Sequence, residues 1–260
     1  MTQSGFDFDD GHNEKQDRRL EVDRTPPAVV RQGLVRLRRA MHGMFSYDEP
    51  VRVLDPCAGS GVFAQEFRRA WQRHERVELM GSELRENERH WVEFHHDRSV
   101  IGDAIEEIGK LENESVELAI GNPAFSLLTP DDGRSLIDTL APKISCGGAI
   151  MMLGLNELGT RGEASRDLWK RCPPLYQWRI GGTLKFRVGK NPKTGKPWGA
   201  DMRSYSWWVW QLVDGEFVRA DDREDEEQDE DRPPVWLAED LPTLTAGERQ
   251  WKIKPGREPR

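Results

Sequence analysis

Short apolar runs alternate along the chain with segments whose apolar residues recur at helical spacing, the arrangement that places a parallel sheet between two layers of helices. Strands are predicted at Val51–Asp55, Val77–Glu83, residues 99–102, Val116–Gly121 and residues 148–155. Between them Phe63, Phe67 and Trp71 fall on one helical face, as do Ile137 and Leu140, and Val30, Leu34, Leu37 and Met41 mark a helix ahead of the first strand. Residues 176–188 and Tyr205–Val213 read as a closing pair of strands joined by a basic loop over residues 189–203. The prediction is an α/β domain on a doubly wound, mostly parallel sheet of seven strands, the last of them antiparallel.

At both ends this pattern fails. Residues 1–20 are polar and acidic, with too little apolar surface to offset the ordering entropy, and are expected to be disordered. Residues 220–260 run from an acidic stretch into a Pro-rich, mixed-charge segment, expected to be a mobile tail apart from local docking by Trp236 or Trp251. The folded domain is therefore placed at residues 21–219. A charged fraction of 32% and a mean hydropathy of −0.76 agree with one domain carrying polar tails.

Charge changes the picture of possible partners. The net charge of −8 argues against a polyanionic ligand until its placement is considered. Residues 221–232 hold nine acids and two arginines, a net of −7, whereas residues 161–203 hold eleven Lys or Arg against three acids, a net of +8. A phosphate-binding face is compatible with that local excess. No run of about 18 apolar residues occurs, and the N-terminus lacks the basic-then-apolar order of an export signal, so a soluble cytoplasmic protein is expected. Cys57, Cys146 and Cys172 are odd in number and far apart, which predicts reduced thiols and no metal site.

The candidate chemistry begins in residues 51–67, VRVLDPCAGSGVFAQEF, which pass from a buried strand through a Gly-rich turn into an amphipathic helix. Such a turn brings backbone N–H groups close to a ligand at the carboxyl edge of the sheet. No Gly-Lys-Ser/Thr follows, and the spacing departs from the dinucleotide GxGxxG. An acid at the strand end would repel a pyrophosphate but accept from a cationic amino-acid group. Here the sequence resembles the first motif of class I S-adenosylmethionine (SAM)-dependent methyltransferases, in the DPxxGxG form of the amino-methylating branch. That resemblance implies a Rossmann-like fold and SAM as cofactor, touched by Asp55, Pro56, Cys57, Ala58, Gly59 and Gly61. Glu83, ending the second strand, is expected to take the ribose hydroxyls, and Asp103 with Ala104, after the third, the adenine end. Upstream, Thr25 is expected as the N-cap and Pro26 in the first turn of the leading helix. A similar Thr-Pro helix in adenine methyltransferases touches the methionine end of SAM, which implies the same for Thr25.

Residues 116–125, VELAIGNPAF, form a strand that ends in Gly-Asn-Pro-Ala-Phe. An adenine amine is a poor nucleophile because its lone pair is delocalised into the ring. An enzyme must accept its hydrogens and aim the nitrogen. The Asn122 side-chain oxygen and the Pro123 carbonyl are suitable acceptors, and Phe125 can stack on a base turned out of its helix. The segment resembles the (Asn/Asp)-Pro-Pro-(Tyr/Phe) motif of N6-adenine and related amino methyltransferases, which places Asn122 at both cofactor and acceptor. Ala124 stands where that family has its second proline.

After the fifth strand, basic residues mix with tryptophans. Lys190, Lys193, Lys196 and Arg203 are the predicted substrate-binding set, while Trp208 and Trp210, alternating with Trp207 and Val209, read as strand core. The run Tyr205-Ser-Trp207-Trp-Val209-Trp210 is similar to the ending of small phage-type DNA adenine methyltransferases; the resemblance spans about Thr25 to Gln211. The expected activity is methylation of adenine N6 in DNA; no segment reads as a separate target-recognition domain, so broad or short-sequence preference, or recognition lent by a partner, is expected. RNA adenine or a protein glutamine amide presents a similar planar amine. A nucleic-acid-binding protein that kept the fold without turnover is the reading from another class.

Overall fold

The computed structural model describes residues 24–41, 50–71, 76–129, 134–158, 162–187, 195–196, 199–200, 202–220, 237–245 and 248–249. Helix α1 (Pro27–Ala40) opens the domain. Strands β1 (Val51–Asp55), β2 (Val77–Glu83), β3 (Arg98–Ile101), β4 (Val116–Gly121) and β5 (Ile144–Leu155) then alternate with helices. These are α2 (Val62–Ala70), α3 (Arg89–His95), α4 (Ala104–Gly109), α5 (Phe125–Leu128) and α6 (Leu136–Leu140), followed by α7 (Gly162–Arg171). The chain closes with β6 (Tyr176–Ile180), β7 (Tyr205–Val213), β8 (Glu216–Phe217) and β9 (Leu237–Asp240).

The strand order is β3-β2-β1-β4-β5-β7-β6-β9, with β8 paired to β7. Strands β1 to β5 are mutually parallel, and β7 runs antiparallel between β5 and β6. All seven strands anticipated from the sequence are present, with the reversed strand where the closing pair put it, although the sixth ends at Ile180 and does not run on towards residue 188. Two short strands are added. The β7–β8 hairpin turns on Asp214 (φ 52) and Gly215 (φ 81), the left-handed pair that a two-residue hairpin loop requires.

Sequence periodicity explains how the layers close. Val29, Val30, Leu34 and Leu37 on α1 pack with Phe63 and Phe67 of α2 on one face of the sheet. Ile108 of α4, Leu136, Ile137 and Leu140 of α6, and Leu168 and Trp169 of α7 cover the other. The alternating strand positions divide the tryptophans: Trp207 joins the first core, while Trp208 and Trp210 join the second, all fully buried. These rings are structural, as their alternation predicted. Gly33 lets α1 come down on Trp207, since a Cβ there would lie 2.6 Å from the indole nitrogen.

Two expectations need correction. Thr25 does not cap α1: the N-cap is Pro26 (φ −61, ψ 132), Pro27 is the first helical residue, and the Pro26 carbonyl accepts from Val29 N at 3.0 Å. The threonine hydroxyl is used elsewhere, as described below. Nor is all of residues 220–260 a free tail, because β9 adds in parallel to β6, Leu237 opposite Tyr176 through Asp240 opposite Arg179. Leu241 then buries itself in the first core. Trp236 and Trp251, the residues expected to dock the tail, lie outside the described residues, as does the segment 1–20.

Candidate active site

Three acids end three adjacent parallel strands. Asp55 closes β1, Glu83 closes β2, and Asp103 follows β3, so the topology brings them to one edge of the sheet. Strand β4 lies on the other side of β1, with Val53 opposite Leu118 and Leu54 opposite Ala119. The Gly-rich turn and the Asn-Pro turn therefore leave neighbouring strands. They come close: a Cβ on Gly121 would lie 3.3 Å from Pro56 Cδ and 3.4 Å from Asp55 Oδ1.

The Gly-rich turn is fixed to β2. Ala58 N donates to the Ser82 carbonyl (2.9 Å), Ser82 Oγ donates to the Pro56 carbonyl (2.8 Å), and Gly59 N donates to Glu83 Oε2 (2.8 Å). Gly59 (φ 51) and Gly61 (φ 69) occupy left-handed backbone that other residues rarely adopt. Gly61 also abuts His95, whose Cβ lies 2.7 Å from the position a Cβ would take. A Cβ built on Gly59 would meet only ordinary contacts, Arg85 Nη2 at 3.7 Å and the Cys57 carbonyl at 3.9 Å.

Arg85 is the residue that sequence reasoning missed. Its backbone N and Nε donate to Glu83 Oε1 at 2.9 and 2.7 Å, and Nη2 donates to Oε2 at 3.2 Å. With Gly59 N, the Glu83 carboxylate thus accepts four hydrogen bonds in a nearly buried setting. The only hint in sequence is a cation two residues beyond the acid that ends β2. Asp103 serves α4 as its N-cap: Oδ1 accepts from Ile105 N (2.9 Å) and Glu106 N (3.2 Å), and Ala104 behind it is buried in the second core.

Asp55 is deeply buried, and its Oδ2 has no hydrogen-bond partner. Burial holds its carboxyl well above the usual carboxylate range against one bond from Cys57 N (3.4 Å), and the Glu83 charge pushes the same way. His96 Nε2, equally unpartnered, lies 3.9 Å from Asp55 Oδ2, while Nδ1 meets the Val92 carbonyl at 2.9 Å. Burial lowers the His96 pKa to about 4, so the ring is neutral at physiological pH. The Cys57 thiol is pushed up by burial and the neighbouring acids, which makes it a packing group rather than a nucleophile.

On the β4 side, Asn122 Nδ2 donates to Thr25 Oγ1 at 3.1 Å. The same leading segment is tied across the edge, since Arg24 N donates to the Phe186 carbonyl (3.1 Å) and Arg24 Nη2 sits 3.7 Å from Glu88 Oε1. Pro123 is buried and Ala124 exposed. Ala124 holds φ −57 and ψ 135, a backbone that proline's ring also permits, so its departure from the motif leaves the turn in shape.

Phe125 begins α5 and is half-buried, its ring 6.2 Å from that of Tyr205. Of the four predicted basic residues, Lys190 and Lys193 lie outside the described residues, as does Trp198, and Lys196 is exposed. Arg203 reaches the site: its guanidinium carbon lies 5.5 Å from the Phe125 ring centroid and 6.0 Å from that of Tyr205.

Among the described residues no helix is long and apolar enough to cross a membrane. No family model matches the chain, and no curated protein sequence matches it significantly. Solved structures do resemble it. A candidate class I SAM-dependent methyltransferase from Listeria monocytogenes superposes with a TM-score of 0.56 at 13% identity, over 91% of this chain and 72% of that one. The methyltransferase subunit of a type I restriction-modification system from Streptococcus thermophilus gives 0.51 at 14% identity, over 74% of this chain and 45% of the subunit. The type IIG restriction endonuclease BpuSI gives 0.52 at 11% identity, over 79% of this chain and 27% of the enzyme. The chain thus spans less than half the length of the two restriction-modification proteins. At such identities the likeness is one of architecture, and the chain has the mostly parallel, helix-flanked fold of the class I SAM-dependent methyltransferases.

Proposed function

We propose that the protein transfers a methyl group from SAM to the N6 amine of adenine in DNA, at the sheet edge where the Gly59 and Asn122 turns leave neighbouring strands. The observation that carries this reading is the close approach of Gly121 to Asp55 and Pro56, which leaves little room for a side chain and sets a ligand-approach turn beside an amide aimed by Thr25.

The residues at the Gly-rich turn fit the cofactor. The lack of a side chain at Gly59 admits a ligand against the backbone, and Arg85 Nη2 near it is the movable end of a side chain. Glu83 is a carboxylate suited to a ribose diol. Asp55 Oδ2 is a buried acceptor without a partner, suited to a cationic amino group, whose arrival would favour the ionised carboxylate. Bound SAM supplies an electrophilic methyl group on a sulfonium sulfur.

On the acceptor side, the hydrogen bond from Asn122 Nδ2 to Thr25 leaves Oδ1 to accept one N–H of the target amine, and the Pro123 carbonyl accepts the other. Holding both hydrogens in the amine plane presents the nitrogen lone pair along the normal to that plane. Thr25 is a positioning residue: it sets which end of the amide faces the acceptor. Phe125 offers a face to the base, and Arg203 above it brings a cation to the same place, in keeping with a polyanionic substrate. Fold likeness to a restriction-modification methyltransferase subunit and a type IIG restriction enzyme supports DNA as the polymer.

The test is incubation with methyl-labelled SAM and DNA, RNA or protein offered separately, followed by nucleoside analysis. The reading expects label in N6-methyladenine of DNA, more in single-stranded or mismatched substrate, where unstacking costs less. Label confined to RNA or to a protein amide would move the acceptor, and no transfer to any polymer would remove the catalytic reading.

A further inference from the structure

The Glu83 carboxylate has no capacity left for a ribose. Oε1 accepts from Arg85 N and Nε, and Oε2 accepts from Gly59 N and Arg85 Nη2, all between 2.7 and 3.2 Å. Arg85 Nη2 also lies 3.7 Å from the position a Cβ on Gly59 would take. Any nucleoside that lays its backbone-facing edge on Gly59 and its diol on Glu83 must first move that side chain. The two backbone N–H bonds can remain, whereas the two guanidinium bonds cannot.

A second carboxylate lies one helical turn away. Glu88 lies three residues on, and its backbone N donates to the Arg85 carbonyl at 3.2 Å, so the two side chains spring from one turn of backbone. The Glu88 side chain is 5% exposed, and its Oε2 is buried without a hydrogen-bond partner. Arg24 stands 3.7 Å from Oε1, an ion pair beyond hydrogen-bond length. Glu88 also adds its charge to that of Glu83 at the Arg85 guanidinium.

We propose that Arg85 is a built-in competitor for the ribose site, which holds Glu83 when no nucleoside is bound and passes to Glu88 when a cis-diol takes its place. This rests on the SAM reading of the site and goes beyond it. The cation never leaves carboxylate contact, so the exchange avoids exposing an unpaired buried charge. Apparent affinity is reduced by the fraction of molecules whose carboxylate is open, which makes Arg85 a setting on cofactor affinity rather than a contributor to it.

The experiment is calorimetric titration of the full chain with S-adenosylhomocysteine, comparing wild type, Arg85→Met, Arg85→Lys, Glu88→Gln and the Arg85→Met/Glu88→Gln double variant. Arg85→Met is expected to bind about tenfold tighter and Arg85→Lys to fall between it and the wild type. Glu88→Gln is expected to bind several-fold weaker in the wild-type background and to have no effect when Arg85 is already Met, a coupling that a merely structural role would not produce. If Arg85→Met fails to fold, the Arg85→Lys and Glu88→Gln shifts decide the matter alone. Unchanged or weaker binding in the Arg85 variants overturns the proposal while leaving the SAM reading intact. Absence of binding in the wild type and in every folded variant overturns both.

Discussion

Asn122 and Thr25, 97 residues apart in sequence, meet through a 3.1 Å hydrogen bond from the amide nitrogen to the threonine hydroxyl. This bond joins the segment that leads into α1 to the turn that ends β4, and it fixes the amide nitrogen on the Thr25 side. Thr25→Val, which keeps the side-chain shape at a 2% exposed position, is expected to lower kcat about tenfold. The Kd for S-adenosylhomocysteine is expected to stay within about twofold. The destabilisation of about 1 kcal/mol is that of one lost hydrogen bond. Steady-state kinetics with calorimetric binding separates the two effects, and a loss of cofactor binding with kcat intact would contradict the positioning role.

Gly61→Ala is predicted to destabilise the fold by about 1–3 kcal/mol, because a side chain at φ 69 is strained and would strike His95. Thermal melting measures it. A melting temperature equal to that of the wild type would mean that the turn is looser than described.

Ala124→Pro restores the residue that the resembling motif carries. Since Ala124 already has φ −57, the ring fits, and activity is expected to be retained with a gain of about 0.4–1 kcal/mol in stability. Loss of methyl transfer in a stably folded variant would show that the alanine itself is required.

Acid sensitivity follows from His96. The folded protein keeps this histidine neutral down to about pH 4, while the unfolded chain takes up the proton at its ordinary value of 6.5. The stability it contributes is therefore complete above pH 6.5 and lost as pH falls towards 4. Asp55, which faces it, has the opposite sign: its raised pKa favours the protonated folded form, so its contribution is present at low pH and lost as pH rises. His95 and Arg68 oppose protonation of His96, whereas Asp97 favours it. In His96→Gln the histidine's own contribution is gone, while those of Asp55, His95 and Asp97 remain and largely cancel in the comparison. The stability advantage of wild type over this variant in urea is expected to shrink by about 2–3 kcal/mol between about pH 7 and about pH 4.5. A constant difference would contradict the assignment.

The strands and the two turns were legible because their signals are local. Apolar runs mark β1, β2 and β4, and Gly, Asn and Pro punctuate the turns at the ends of β1 and β4. What escaped depends on partners distant in sequence or on geometry without an apolar pattern. Every residue of β9, Leu237–Asp240, is exposed, so the strand is held by backbone pairing to β6 and gives no periodic signal. Thr25 has the residue type of a helix cap, yet two prolines follow and shift the helix start, which leaves its hydroxyl to Asn122. Arg85 looks like a surface charge until the fold closes it over Glu83.

The most direct test is the N6-methyladenine formed in DNA by Asn122→Ala, set beside its affinity for S-adenosylhomocysteine. Placement of the acceptor amine by Asn122 at the rim of the cofactor turn predicts a fall in transfer of at least about a hundredfold. Binding is expected to change by no more than a few-fold. Full transfer by the folded variant would contradict that placement and the chemistry built on it.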